Sequence, residues 1–360
     1  TIDYNSTINN TKFLNGSCMN INNVTRKGKS YRLSSDILVD MHTITIISCA
    51  FEDNTAKWHG GALFIQNIKN ISISAVYFFK NIASSDGGGI CITHCSILTI
   101  SQSTVTENFA TKKGGAVYLW QCDVIKIYSC ILNRNQGSIG GAIYINMAGY
   151  VQSINCSFID NYAHSYGGGI NIFNIVCIKI VKSVFFNNTG WETGGALCYE
   201  KVSYAYDEHS AFISNKYSSI YTIYCSEYRV NNSSFINNMN DEYGNAAAMT
   251  LEYIETCSIS YSNFRSNDGS YGGCVYSSQI TKLFITKSIF LGNKALEGGA
   301  LYIMNKRYKK DTLIKINNAT FFNNSAVNLD GGGCYFKRIT TFVIINCYFV
   351  QICANDKGGG

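Results

Sequence analysis

The first side chains whose type and spacing invite chemistry are carboxylates. They gather at Glu192, Glu200, Asp207, Glu208, Asp241, Glu242, Glu252 and Glu255, with His209 beside Asp207 and Glu208. Two carboxylates at a suitable separation can act as acid and base on a glycosidic bond. Neither an Asp-Asp pair nor a Gly-His-Gly accompanies them, so the default reading is a solvated acidic face. The 15 cysteines form no CxxC pair, Cys91 and Cys95 being the nearest in sequence. Structural zinc needs such pairs, and small disulfide scaffolds need a dense even set. The sequence therefore gives no reason to expect a metal or a cofactor. Cys49, Cys130 and Cys156 instead share a place with Ala75, Ser103, Ser183, Ser210 and Ser288, as small buried fillers do.

The elements that must carry these groups emerge from periodicity. A Gly-Gly-small-aliphatic motif opens at Gly60, Gly87, Gly114, Gly140, Gly167 and Gly194, and again at Gly272, Gly298, Gly331 and Gly358. In phase with it runs a large apolar residue followed three places on by Asn: Phe51/Asn54, Phe78/Asn81, Val105/Asn108, Leu132/Asn135, Phe158/Asn161, Phe185/Asn188, Phe212/Asn215, Phe235/Asn238, Phe264/Asn267, Phe290/Asn293 and Phe321/Asn324. Between the motifs apolar and polar residues alternate, as in Ile71-Ser72-Ile73 and Ile178-Lys179-Ile180. That is the signature of a strand with one buried face, and no stretch sustains a helical period. Each 27-residue unit thus supplies about three very short strands and cannot cover its own apolar side chains. Stacking covers them, with like residues lying over like residues. The expected fold is an all-β, right-handed parallel β-helix of 12 or 13 coils. A leucine-rich repeat would need a Leu-x-x-Leu-x-Leu frame, which is missing.

Composition agrees. The chain has no proline, 32 glycines and 14% charged residues, unlike a disordered chain, which would be richer in proline and charge. Its net charge of +6 is spread over 29 basic and 23 acidic residues, too thinly for a nucleic-acid footprint. There is no apolar run of 18 residues to cross a membrane. The absence of an initiating Met and of a signal-peptide core, with a halt at Gly358-Gly359-Gly360 inside a unit, predicts a piece of a longer chain. Membrane attachment is then expected only through segments outside it.

Units joining Phe51-to-Asn54 with Gly60-Gly61-Ala62-Leu63, or Phe290-to-Asn293 with Gly298-Gly299-Ala300-Leu301, resemble the repeats of the polymorphic outer membrane protein family. That family is known from chlamydial surface autotransporters and from trichomonad surface proteins, and the trichomonad type fits better. The resemblance runs from about residue 37 onward. It implies a pectin-lyase-like passenger at a cell surface, often in adhesion. The membrane barrel segment of the bacterial members is missing here. Enzymes with this fold cleave polysaccharides, so a polysaccharide lyase or glycoside hydrolase is the alternative expectation. Fold alone does not confer activity.

Residues 1–36 read as a degenerate capping coil and 37–360 as the array. The array is irregular at 197–250, where Ser218-Ser219-Ile220 and Ala246-Ala247-Ala248 replace Gly-Gly, and it carries an insertion at 305–312. The insertion holds Lys306, Arg307, Lys309 and Lys310, a basic loop expected to project toward anionic glycans or lipid head groups, or merely to be solvated. The best binding candidates follow Gly-Gly: Phe64, Tyr118, Tyr144, Tyr276, Tyr302 and Tyr335 share one repeat place and predict an exposed aromatic ladder. Tyr joins an apolar ring to a polar tip, which suits sugar or protein surfaces; the same ladder could serve only cross-coil stacking. Asn-x-Ser/Thr sequons at Asn5, Asn9, Asn15, Asn23, Asn70, Asn155, Asn187, Asn231, Asn232, Asn318 and Asn323 are candidate glycan sites. The functional expectation is a non-enzymatic extracellular or cell-surface scaffold for adhesion or filament building. Its partners would be cell-surface glycans or proteins, or further copies of itself, with no nucleic acid.

Overall fold

The computed structural model describes residues 11–12, 18–22, 25–28, 31–34, 43–240, 244–305, 312–328 and 330–354, and before residue 43 only the backbone. The fold is all-β, a parallel β-solenoid of about 11 turns of ~27 residues. The expected count is 12 or 13, and one of the sheets has 13 strands, one from each turn, although the third strand of a turn is first described at Thr55–Ala56. Rungs nevertheless begin earlier: Thr11–Lys12 pairs with Leu33–Ser34, and Thr25–Lys27 with Ala50–Glu52. Contacts divide the chain into two compact units, Thr1–Val176 with Asn188–Trp191, and Cys177–Asn187 with Glu192–Gly360.

Each turn contributes to three kinds of sheet. After Gly-Gly comes a long sheet, then a sheet of three-residue strands centred on the Phe place, then a sheet of two-residue strands. The strands of the long sheet are not all short. Ile90–Ser101, Val117–Tyr128 and Ile143–Ile154 in the first unit, and Leu197–Glu208, Ile220–Asn231 and Met249–Ser260 in the second, run 12 residues each. A single left-handed residue bends each of them, namely His94, Gln121, Met147, Lys201, Tyr224 and Tyr253, with φ of 53° to 58°. One such residue turns the chain while the pairing on either side persists.

Columns of identical side chains form the core. In the second unit Phe185, Phe212, Phe235, Phe264, Phe290, Phe321 and Phe349 stack at centroid spacings of 4.6 to 5.1 Å, within 9° of parallel. Such offset pairs add about 0.5–1.5 kcal/mol each beyond burial. In the first unit Phe51 stacks on Phe78 at 5.0 Å, and Val105 and Leu132 then take the place.

The Asn of each motif is fully buried and builds a ladder. Asn108 shows the pattern: its Oδ1 accepts from the Asn81 backbone N–H at 3.0 Å and from Asn81 Nδ2 at 2.9 Å. Its own Nδ2 donates to the Phe78 carbonyl at 3.1 Å and to Asn135 Oδ1 at 3.0 Å. Along the described ladder each motif amide is thus met in the apolar interior, where an unmet polar group costs about 1–3 kcal/mol.

The two glycines answer different demands. Gly60 takes φ +65°, a region that favours glycine, whereas a Cβ on Gly61 would stand 2.0 Å from the Gly88 carbonyl oxygen of the next turn. Ala246 and Ala247 replace the pair before Met249, as expected. In the preceding turn Leu197 pairs with Ile220 and Ile220 with Met249. That register puts Tyr217 and Ser218 at the glycine places, both left-handed at 62° and 60°, rather than Ser218 and Ser219.

The place two residues before Phe also differs from its expected role as filler. Ser103 Oγ accepts from the Val76 N–H at 3.1 Å and donates to the Ser101 carbonyl at 2.8 Å, and the Ser210, Ser233, Ser262 and Ser288 hydroxyls accept likewise from the backbone N–H of the residue one turn earlier. Cys130 and Cys156 donate from Sγ to the same kind of carbonyl, Tyr128 at 3.2 Å and Ile154 at 3.3 Å. Val76, not Ala75, belongs to this column; Ala75 sits at the left-handed corner beside it, φ 53°.

Candidate binding surface

The strand after Gly-Gly does place the aromatic residues in one column. Phe64, Cys91, Tyr118 and Tyr144 are in register in the first unit, and Cys198, Tyr221, Thr250, Tyr276, Tyr302 and Tyr335 in the second. Tyr118 and Tyr144 stack at 5.5 Å, while Tyr302 stacks on Tyr276 at 5.6 Å and on Tyr335 at 4.9 Å. The ladder is not exposed, however. Tyr144, Tyr276 and Tyr302 are only 5 to 8% accessible, and Phe64, Tyr118 and Tyr335 are half-buried. Residues just ahead of Gly-Gly cover the rings. Lys113 Nζ lies 4.7 Å from the Tyr144 centroid and 3.3 Å from its hydroxyl, Tyr271 packs 5.2 Å from Tyr302, and His59 6.2 Å from Phe64. Desolvation accordingly pushes the Tyr118 and Tyr302 hydroxyls up.

The carboxylates do not form one solvated face either. Asp207 is fully buried. It lies in the inward column that continues through Val230, Ile259 and Ile285, and aligning the repeats would have revealed this. Tyr199 O–H donates to its Oδ1 at 2.9 Å and Tyr228 O–H to its Oδ2; both phenols are buried as well. Burial raises the Asp207 pKa to about 7, against the lowering pull of those two hydrogen bonds. Glu192 and Glu255 are exposed, and Glu200, Glu208 and Glu252 half-buried. Glu200 and Glu252 share one outward column with Ile223 between them. Asp241 and Glu242 lie outside the described residues.

A concave feature opens at the corner of the long sheet. A groove of about 460 Å³ is bordered by Tyr224, Ser226, Tyr253, Glu255, Gln279 and Thr281. Tyr224 and Tyr253 are the left-handed residues of consecutive turns, 50% and 42% accessible, with rings 5.0 Å apart at 27°. The corner column had no signal in motif analysis, because its residue type changes from turn to turn.

Residues 75–93 match the family model of the Chlamydia polymorphic membrane protein (Chlamydia_PMP) repeat. The matched stretch spans Phe78-to-Asn81 and Gly87-Gly88-Gly89-Ile90, the residues that build the apolar column, the amide ladder and the corner. The chain is a repeat β-helix that carries a Pmp-like repeat at residues 75–93. No curated protein matches it. Among the described residues of this Pmp-like protein, no helix is long and apolar enough to cross a membrane, which says nothing of β-barrels.

Of the basic insertion, Lys306, Arg307, Lys309 and Lys310 lie outside the described residues. Its two ends do not project. Asn305 and Thr312 are buried and joined, Asn305 Nδ2 donating to Thr312 Oγ1 at 2.8 Å, and Asn305 Oδ1 accepts from the Ile280 N–H at 3.1 Å. Among the sequons, Asn155, Asn232, Asn318 and Asn323 are exposed at left-handed corners, while Asn70, Asn187 and Asn231 are half-buried. Asn5, Asn9, Asn15 and Asn23 lie outside the described side chains. Among the described residues no cysteine is joined in a disulfide. Burial pushes the Cys91, Cys198 and Cys257 thiols well up and that of Cys225 to about 12, which keeps them protonated and unreactive.

Proposed function

We propose that this protein is a non-enzymatic β-helix of the cell surface or secreted space that presents an ordered face to a partner, in adhesion or as a filament component. The reading rests on the in-register columns within each unit. Equivalent side chains recur once per turn on a backbone whose conformational entropy is already spent, so many weak contacts can add without further ordering. The matched repeat family, one of surface proteins, supports the location. Exposed corner sequons such as Asn155 and Asn318 are compatible with glycan decoration.

The carbohydrate-active alternative gains one observation, that the groove begins in the irregular stretch at Tyr224 and continues into the turns after it. It is weakened by another. Among the described lining residues Glu255 is the one carboxylate, whereas hydrolysis by acid and base needs two. The test is antibody labelling of intact and permeabilised source cells, with turnover assays of the purified chain on polyuronide and neutral glycan panels. Labelling of intact cells without turnover is expected. Labelling only after permeabilisation, or release of reducing or unsaturated ends, overturns the reading.

A further inference from the structure

The corner column contains an anomaly that the architecture does not require. Among the described residues most turns of the long sheet carry one left-handed residue there, and the other occupants are Asn67, His94, Gln121, Met147, Asn174, Lys201, Gln279 and Arg338. Asn is among the few non-glycine residues that favour this conformation, whereas a bulky ring in it is an outlier. Tyr224 and Tyr253 accept that cost in consecutive turns, and they do not recover it by burial, since about half of each side chain remains accessible. The two rings pack on each other at 5.0 Å and leave the strained pair open to solvent, which points to a task at the surface.

Their surroundings define the task. In the stacked pair each ring has one face against its neighbour and one turned away. The next turn carries Gln279 in place of a third ring, so the outer face of Tyr253 borders the groove. Glu255, Gln279, Ser226 and Thr281 line the groove beside the two tyrosines. A volume of about 460 Å³ falls within the usual range for small-ligand sites of about 300–1,000 Å³. A pyranose ring has a C–H face that packs on an aromatic ring and a rim of hydroxyls that both donate and accept. The lining supplies both kinds of partner. It carries a carboxylate and no lysine or arginine among the described residues, which disfavours an acidic sugar by charge repulsion and desolvation.

We propose that the Tyr224–Tyr253 groove is a binding subsite for an uncharged saccharide, one or two pyranose rings in extent, with Tyr253 as the stacking surface and Glu255, Gln279, Ser226 and Thr281 as hydroxyl partners. This deepens the surface-scaffold reading and rests on it for its biological setting. The groove itself is tested on purified protein, independently of where the protein resides.

The experiment titrates the full chain calorimetrically with cellotetraose, tetra-N-acetylchitotetraose and tetragalacturonate. The comparison is a Tyr224→Asn/Tyr253→Asn variant. Asn suits the left-handed corner, so the substitution removes both rings while relieving the backbone, and thermal unfolding checks that the fold persists. Binding of at least one neutral tetramer, weakened about tenfold or more in the double variant, corresponding to about 1.4 kcal/mol, is the expected result, with tetragalacturonate inert. Glu255→Lys should make tetragalacturonate a ligand. The proposal is overturned if the wild-type chain binds neither neutral tetramer, if the folded double variant binds as well as wild type, or if tetragalacturonate binds the wild-type chain equally well. Surface labelling that succeeds alongside any of these failures leaves the scaffold reading standing and removes only the groove.

Discussion

Two sites in the second unit bury polar side chains by opposite means. Asn215, Asn238, Asn267 and Asn293 are copies, each satisfied by the next in a series that ends at Asn324: Asn267 Oδ1 accepts from Asn238 N and Nδ2 at 3.1 and 2.9 Å, and Asn267 Nδ2 donates to Asn293 Oδ1 at 3.0 Å. Asp207 has no copy above or below. Its column neighbour is Val230, so its oxygens are met by two phenols recruited for it alone. The contrast shows that repetition makes a buried polar group stable at no special design, while a unique one needs its own partners and remains sensitive to its charge.

Breaking the copied site should have the largest effect. Asn267→Ala leaves the Asn238 donors, the Phe235 carbonyl and Asn293 Oδ1 short of a partner, and should destabilise by roughly 3–5 kcal/mol in urea unfolding. A loss below about 1 kcal/mol would show that the ladder is replaceable. The unique site should reveal itself through pH. The folded pKa of Asp207 is raised to about 7 from 3.8, so folding favours its protonated form. The stabilisation is complete below the unfolded value and is lost as pH rises through about 7, by up to roughly 4 kcal/mol. Urea midpoints between about pH 4 and about pH 8 should fall with pH in wild type, and this component should vanish in Asp207→Asn. An unchanged slope in that variant would place the titration elsewhere.

Sharper tests are smaller. Tyr199→Phe removes a donor to the carboxylate, so the pH transition should move upward, with about 1–2 kcal/mol lost. In the serine column Ser262→Ala should cost about 1 kcal/mol and Ser262→Cys less, because Cys130 and Cys156 already make the equivalent bond. At an exposed corner, Arg134 lies 3.1 Å from Glu107, and Arg134→Ala should change stability by under about 0.5 kcal/mol.

The same contrast explains what could be read in advance. Phe78, Asn81 and Gly87 were legible because each turn restates them, and the stacking and the ladder follow from that restatement. The shielding of Tyr144 was not, since its cover, Lys113, sits 31 residues away and belongs to no motif. Asp207 looked like one acid among neighbours until its strand was aligned with the apolar places of the adjacent turns. Tyr224 and Tyr253 were hidden by the variety of their column, which shares a backbone angle and no residue type.

The amide ladder also bears on how such a chain can change length. Every interior rung takes from the turn before it what it gives to the turn after it, so a duplicated turn inserted between two others finds both of its needs met, and a deleted one leaves two compatible ends. Gain or loss of whole turns is thus close to neutral for the interior, and genetic slippage by one repeat can lengthen or shorten the protein without redesigning what remains.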